Sequence, residues 1–239
     1  MKILINYAHR LYKKAQIKNC VSAFETGEFD CVIKYKFEDI DQTFYNKNKH
    51  ILDKERGAGY WLWKPYIIKK TMLEKMNEDD VLFYCDAGHT FYNSANFMID
   101  IMEKTEQKFL VTTTSQIEKK WTKRDTFYYM GCDEKKYYDA IQAQATYIVL
   151  KKNNFTLNLI DEWLTFSQDY RLITDSKNEC GLDNFLNFQD HRHDQSILSL
   201  LCTKYGVKSI IPPDQYNFYN PNKEIPLQII IYSGRHNTD

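Results

Sequence analysis

VLFYCDAGH, residues 81–89, is a run of five apolar residues that passes without interruption into Asp86, Ala87, Gly88 and His89. An apolar run of that length is a strand, and Asp and Gly directly after it mark the strand's carboxyl end. In open α/β sheets, ligands sit beyond such ends, near a switch in strand order. Just upstream, Asn77–Asp80 breaks a segment of good helix formers, Tyr66–Met76, that starts beside Pro65, a residue suited to a first helical turn. Further back, Lys2–Ala8 reads as a short buried strand, Leu11–Phe24 as a helix and Phe29–Tyr35 as a second strand, which makes a βαβ opening. Downstream, Phe97, Met98, Ile101 and Met102 form a helical apolar stripe, Phe109–Thr114 is a further parallel strand and Ala145–Leu150 another strand. Leu157, Ile160, Trp163 and Leu164 mark a helix, a second begins near Asp194, and Val207–Ile211 and Leu227–Tyr232 are late strands. No repeat or linker interrupts the order. The reading is one α/β domain over residues 1–239, with a Rossmann-like, mixed but mainly parallel sheet flanked by helices.

Composition narrows the function. Lys plus Arg and Asp plus Glu number 32 each, so the net charge is zero, and the basic excess of a nucleic-acid binder is missing. A local basic pocket for a small phosphate ligand remains open. The 36 aromatic residues, half of them Tyr, serve a core or a stacking surface for a sugar or base. Six cysteines contain no CxxC pair, which removes the sequence basis for zinc knuckles and thioredoxin-like sites. The opening MKILINYAHRLYKK has too short an apolar run for a signal peptide, and no stretch has the length of a membrane span. The expectation is a cytoplasmic protein without a transmembrane segment, in which the sequon Asn154-Phe155-Thr156 is coincidence.

Four constellations carry chemistry. Asp86, at a strand end, could hold a divalent cation against a diphosphate or could be an ordinary turn residue. In Gly57-Ala58-Gly59-Tyr60-Trp61-Leu62-Trp63-Lys64-Pro65-Tyr66, the glycines permit a left-handed backbone. Leu62 replaces the third glycine of a dinucleotide fingerprint, Trp61 and Trp63 read first as core, and Lys64 is either a phosphate contact at a helix N-terminus or a solvated lysine. In His191-Arg192-His193-Asp194-Gln195, Asp194 is either a helix N-cap or a base beside a pocket, and the two histidines could converge on a metal. The run Lys119–Asp125, with Trp121 and Arg124, is a cationic loop over a phosphate or a solvated face.

In order along the chain, RGAGYWLWKPYII (56–68), YCDAG (84–88), KRD (123–125), QAQATYIVL (142–150), EWL (162–164) and HRHDQSILSLL (191–201) resemble a family of bacterial and viral glycosyltransferases, the nucleotide-diphosphosugar transferases of the A-type fold. The resemblance spans nearly the whole chain, through Arg235-His236. It implies transfer of a sugar from a nucleotide-sugar donor, a UDP-sugar first, to a hydroxyl acceptor such as a glycan. It implies that Asn6, Tyr7, Trp63, Lys64, Asp86, Ala87, Gly88, Arg124 and Arg235 contact the donor, with Asp194 and Gln195 at the reacting centre. Related families hold Mn²⁺ or Mg²⁺ with an Asp-x-Asp pair. Here Asp86 matches the first carboxylate but Gly88 stands at the second, which leaves Asp86 with His236 as the metal pair, or Asp86 on the sugar or ribose without metal. A nucleotide-sugar-binding protein without transfer activity, a nucleotidyltransferase and a non-enzymatic interaction protein are the competing readings.

Overall fold

The computed structural model describes residues 1–26 and 28–214 and the backbone of 231–233. The chain opens with β1 (Lys2–Tyr7), α1 (Lys13–Thr26) and β2 (Cys31–Tyr35), the expected βαβ unit. α2 (Gln42–Leu52), a short turn α3 (Gly57–Tyr60) and α4 (Trp63–Glu74) then lead into β3 (Val81–Cys85). After it come β4 (His89–Phe91), α5 (Asn96–Lys104), β5 (Phe109–Ile117), α6 (Arg124–Tyr129), α7 (Lys135–Tyr138) and β6 (Ile141–Lys151). The described chain closes with α8 (Asn154–Ser167), α9 (Tyr170–Ile173), α10 (Asp194–Tyr205), β7 (Ser209–Ile210) and β8 (Ile231–Ser233).

Six strands form one sheet in the order β2-β1-β3-β6-β5-β7. β6 runs antiparallel to both β3 and β5, and the other contacts are parallel. The mixed, mainly parallel sheet is therefore as expected, with β6 as the reversed strand. β3 is apolar throughout because helices cover both of its faces. Leu82 and Tyr84 join the core under α4, α8 and α10, while Val81, Phe83 and Cys85 join the one under α1 and α5. β4 pairs with β8 in a separate two-stranded ribbon.

Several elements differ from expectation. Gln42–Leu52, unassigned in the sequence because its surface is mostly polar, is a helix that buries only Asn48, Ile51 and Leu52. β5 and β6 run on beyond their apolar segments, to Ile117 and back to Ile141. Cross-strand pairing supports these polar ends. The late strand at 207–211 is limited to Ser209–Ile210, and of the one expected at 227–232 only 231–232 falls among the described residues.

Candidate active site

The turn expected after β3 is present: the His89 N–H donates to the Asp86 carbonyl at 3.3 Å. It brings the Asp86 carboxylate, one-third exposed, to the wall of a cavity of about 430 Å³. α4 starts on another wall and presents Lys64, whose ammonium lies 3.3 Å from Asp86 Oδ1 and 3.1 Å from Asp194 Oδ2, and donates to the Ala145 carbonyl at 3.1 Å. The Tyr84 hydroxyl donates to the same Asp86 oxygen. Lys64, Asp86, Asp194 and Gln195, drawn from three distant segments, all line the cavity.

Burial sets the electrostatics. It pushes the Asp194 carboxyl up to about 6, in spite of the neighbouring ammonium. Burial pulls the Lys64 ammonium down, but Asp194 first and Asp86 second outweigh it, and the net shift is upward. Lys64 is therefore a buried, charged lysine whose charge depends on the two carboxylates.

The backbone leading to Lys64 is unusual. Gly57, Ala58, Gly59, Tyr60 and Trp61 all have positive φ, one turn of left-handed chain that includes three residues with side chains. Such conformations cost about 1–2 kcal/mol per L-residue. The glycines are needed on steric grounds as well: a Cβ at Gly57 would fall 2.3 Å from the Trp61 ring, and one at Gly59 would fall 2.7 Å from the Leu52 backbone. The turn places Trp61 in the cavity lining, whereas Trp63 turns inward, stacks on Tyr7 at 3.9 Å and donates its N–H to the Gly57 carbonyl.

The His191–His193 segment anchors the other side. The rings come together at 5.0 Å, but His191 Nε2 donates to the Leu172 carbonyl and His193 Nδ1 to the Ile173 carbonyl. Burial pushes His191 well below its ordinary range and His193 down to about 4, so both are neutral imidazoles, each donating one N–H to the α9 backbone. Asp194 is the first residue of α10 and His193 takes the N-cap position with φ 54°. Trp163 of α8 donates its indole N–H to the Asp194 carbonyl at 2.9 Å and fixes the helix start.

The remaining expected contacts lie elsewhere. Asn6 is fully buried, with its amide bonded to Gln16 and Asn19, and Tyr7 and Trp63 pack in the core. Ala87 and Gly88 make the turn, outside the cavity lining. The basic run around Lys119–Arg124 is paired internally: Lys119 with Asp139, Lys123 with Asp125, and Arg124 with Asp133 while stacked on Phe185. Its Trp121 does line the cavity, with the Arg192 guanidinium 4.2 Å over the ring. Arg235 and His236 lie outside the described residues.

For a divalent ion the described donor set is incomplete. One Asp86 oxygen is already taken by Tyr84 and Lys64, Gly88 carries no carboxylate, and no group of three His, Cys, Asp or Glu is gathered among the described residues. These described residues do not make a metal shell.

Sequence reasoning missed the polar floor: Thr114 and Gln116 on β5, Gln142, Gln144 and Thr146 on β6, and Arg56 at the rim. The signal was the alternation of polar residues, Thr112-x-Thr114-x-Gln116 and Gln142-x-Gln144-x-Thr146, which assigns one face of two strands to a polar surface.

No family model and no curated sequence matches the chain. Among solved structures it resembles mouse xyloside xylosyltransferase 1 in its apo form, with a TM-score of 0.52 and 9% identity, over 100% of this chain and 98% of that one. The chain thus has the Rossmann-like α/β fold of a glycosyltransferase. Among the described residues no helix is long and apolar enough to cross a membrane.

Proposed function

We propose that the chain is a glycosyltransferase, moving a sugar from a nucleotide-diphosphate donor, with a UDP-sugar as first candidate, to the hydroxyl of a glycan or similar acceptor. The observation that carries the reading is the Asp86–Lys64–Asp194 triad on the wall of a cavity at the carboxyl end of β3. The cavity's volume is in the range of small-molecule sites. Glutamine and threonine side chains on its floor offer donors and acceptors to sugar hydroxyls, and Trp61 and Trp121 offer stacking faces. Breaking the sugar–phosphate bond gathers negative charge on the leaving diphosphate, and cations placed there lower the barrier. Lys64 is held between carboxylates, as is Arg56 between Asp175 and Asp190, so Arg192 takes that role, in place of the Arg124 expected from sequence. Asp86 then contacts a sugar or ribose hydroxyl, and Asp194 with Gln195 faces the reacting carbon.

The incomplete donor set for a metal favours one second reading, a nucleotide-sugar-binding protein without transfer activity. A panel of nucleotide-sugars, with and without Mn²⁺, separates the two when read by thermal shift and by release of nucleoside diphosphate. The transferase reading expects one donor to stabilise the protein and to be turned over in the presence of acceptor, with both effects lost in Asp86→Ala. Stabilisation without release supports the binding protein, and no stabilisation by any donor in the folded chain overturns both.

A further inference from the structure

Helix α1 has its polar and apolar faces reversed. Its buried positions are Ala15, Gln16, Asn19 and Ala23. The amides work inward: Gln16 donates to Asn6 and to the Tyr35 carbonyl, and Asn19 donates to the His89 carbonyl. The large apolar side chains point to solvent. Ile17 is 55% exposed, Val21 49% and Phe24 77%, at the i, i+4, i+7 spacing of a single stripe. Leu11 and Tyr12, on the turn that enters the helix, are also exposed, at 76% and 54%. A surface helix ordinarily buries such a stripe and exposes its amides.

The charges on this helix are mostly of one sign. Arg10, Lys13, Lys14 and Lys18 are all exposed, and the helix has a single acidic residue, Glu25, in its last turn. Lys34 of β2 adds a cation within electrostatic reach of Cys20. Glu38 lies within reach of Arg10 and Lys13 and offsets part of this charge. A chain of zero net charge thus concentrates cations beside its exposed apolar stripe.

We propose that α1 and its lead-in turn form a docking face for an anionic lipid surface. The helix lies along the bilayer, with Ile17, Val21 and Phe24 at the boundary of headgroups and acyl chains and the lysines at the lipid phosphates. The charge complementarity points to this occupant. The patch is also too narrow for a stable protein interface, which takes roughly 20–30 residues a side. A bilayer needs no matching partner surface, and five apolar side chains with adjacent cations suit its interfacial zone. This inference does not rest on the transferase reading.

The test is co-sedimentation of the full chain with vesicles of phosphatidylcholine alone and of phosphatidylcholine mixed with phosphatidylglycerol, at low and high salt. Binding to the mixed vesicles, weak on the neutral ones and reduced by salt, is the expected result. Ile17→Glu/Phe24→Glu should weaken it about tenfold or more, and Lys13→Gln/Lys14→Gln/Lys18→Gln should remove its salt dependence. Both variants change exposed side chains, and unchanged melting temperatures would show that they fold. Absence of binding to mixed vesicles overturns the proposal, as does binding that the variants leave intact. Concentration-dependent dimerisation abolished by Phe24→Glu, without vesicle binding, would assign the face to a second copy of the chain and overturn it too.

Discussion

Gln195 donates its side-chain amide to the side-chain Oε1 of Gln142 at 2.9 Å, one link of a relay that ends in the protein interior. Gln142 in turn donates to the buried Glu118 carboxylate at 3.0 Å, which also accepts from Thr122 and from Ser199. At the other end, Gln195 Oε1 accepts the Ala145 N–H at 3.2 Å. When Glu118 is ionised it only accepts, each amide in the chain then has one orientation, and the face Gln195 turns to the cavity is set from below.

Glu118 should leave a pH signature on stability. Burial pushes its carboxyl up to about 7, above the value near 4.5 of a free glutamate. Between those values the unfolded chain has lost the proton and the folded one keeps it, so this group's contribution is full below pH 4.5 and declines as pH rises towards 7. Glu118→Gln removes the ionisation. Urea unfolding of both proteins across this range should show the wild type losing stability relative to the variant as pH rises. A constant difference would mean that the carboxylate is not held as the geometry implies.

The buried histidine works in the opposite direction. With His193 held down to about 4 by burial, its neutral form contributes stability above pH 6.5, and this is lost as pH falls through 4. Ring-proton NMR titration should find His193 still neutral at pH 5.5, a full unit below the ordinary imidazole value of 6.5.

Removing the lysine charge should be costly. Lys64→Met leaves Asp194 buried without its counter-ion, and loss of one partner of a buried pair costs roughly 3–5 kcal/mol. The cost should shrink as pH falls towards 6, because Asp194, no longer held down by the ammonium, takes up a proton more readily in the variant, and Lys64→Met/Asp194→Asn should recover part of it. Denaturant unfolding at two pH values measures all three effects.

The left-handed turn predicts a backbone effect. Gly59→Ala places a methyl against the Leu52 backbone at φ +97°, and strain of this kind costs roughly 1–3 kcal/mol. A lowered melting temperature together with altered Trp61 fluorescence would show that the turn carries the cavity wall. Gly131→Ala, also at positive φ but with nothing within 4 Å of the added carbon, is the comparison that isolates the contact.

Much of the architecture was determined by the sequence alone, because local pattern suffices for it. Unbroken apolar runs mark β1 and β3, the Asp-Ala-Gly turn ends β3, and apolar spacing outlines α8 and α10. Those signals placed Asp86, Lys64 and Asp194 at the ends of elements, where sites form. Tertiary structure alone decided what those ends meet. The insertion of β6, reversed, between β3 and β5 is a matter of long-range register, and it brings Gln142 and Gln144 to the cavity. The basic run around Lys119–Arg124 looked like a phosphate-binding loop because its partners Asp139 and Asp133 lie further along the chain, where only folding identifies them as partners. The histidines looked like metal ligands until the carbonyls of α9 closed on them. In α1 the helical period was legible but its direction was not: whether Ile17, Val21 and Phe24 face the core depends on what the neighbouring strands present to the helix, and these present the Asn6 amide and Tyr35 carbonyl from the sheet and the His89 carbonyl from β4.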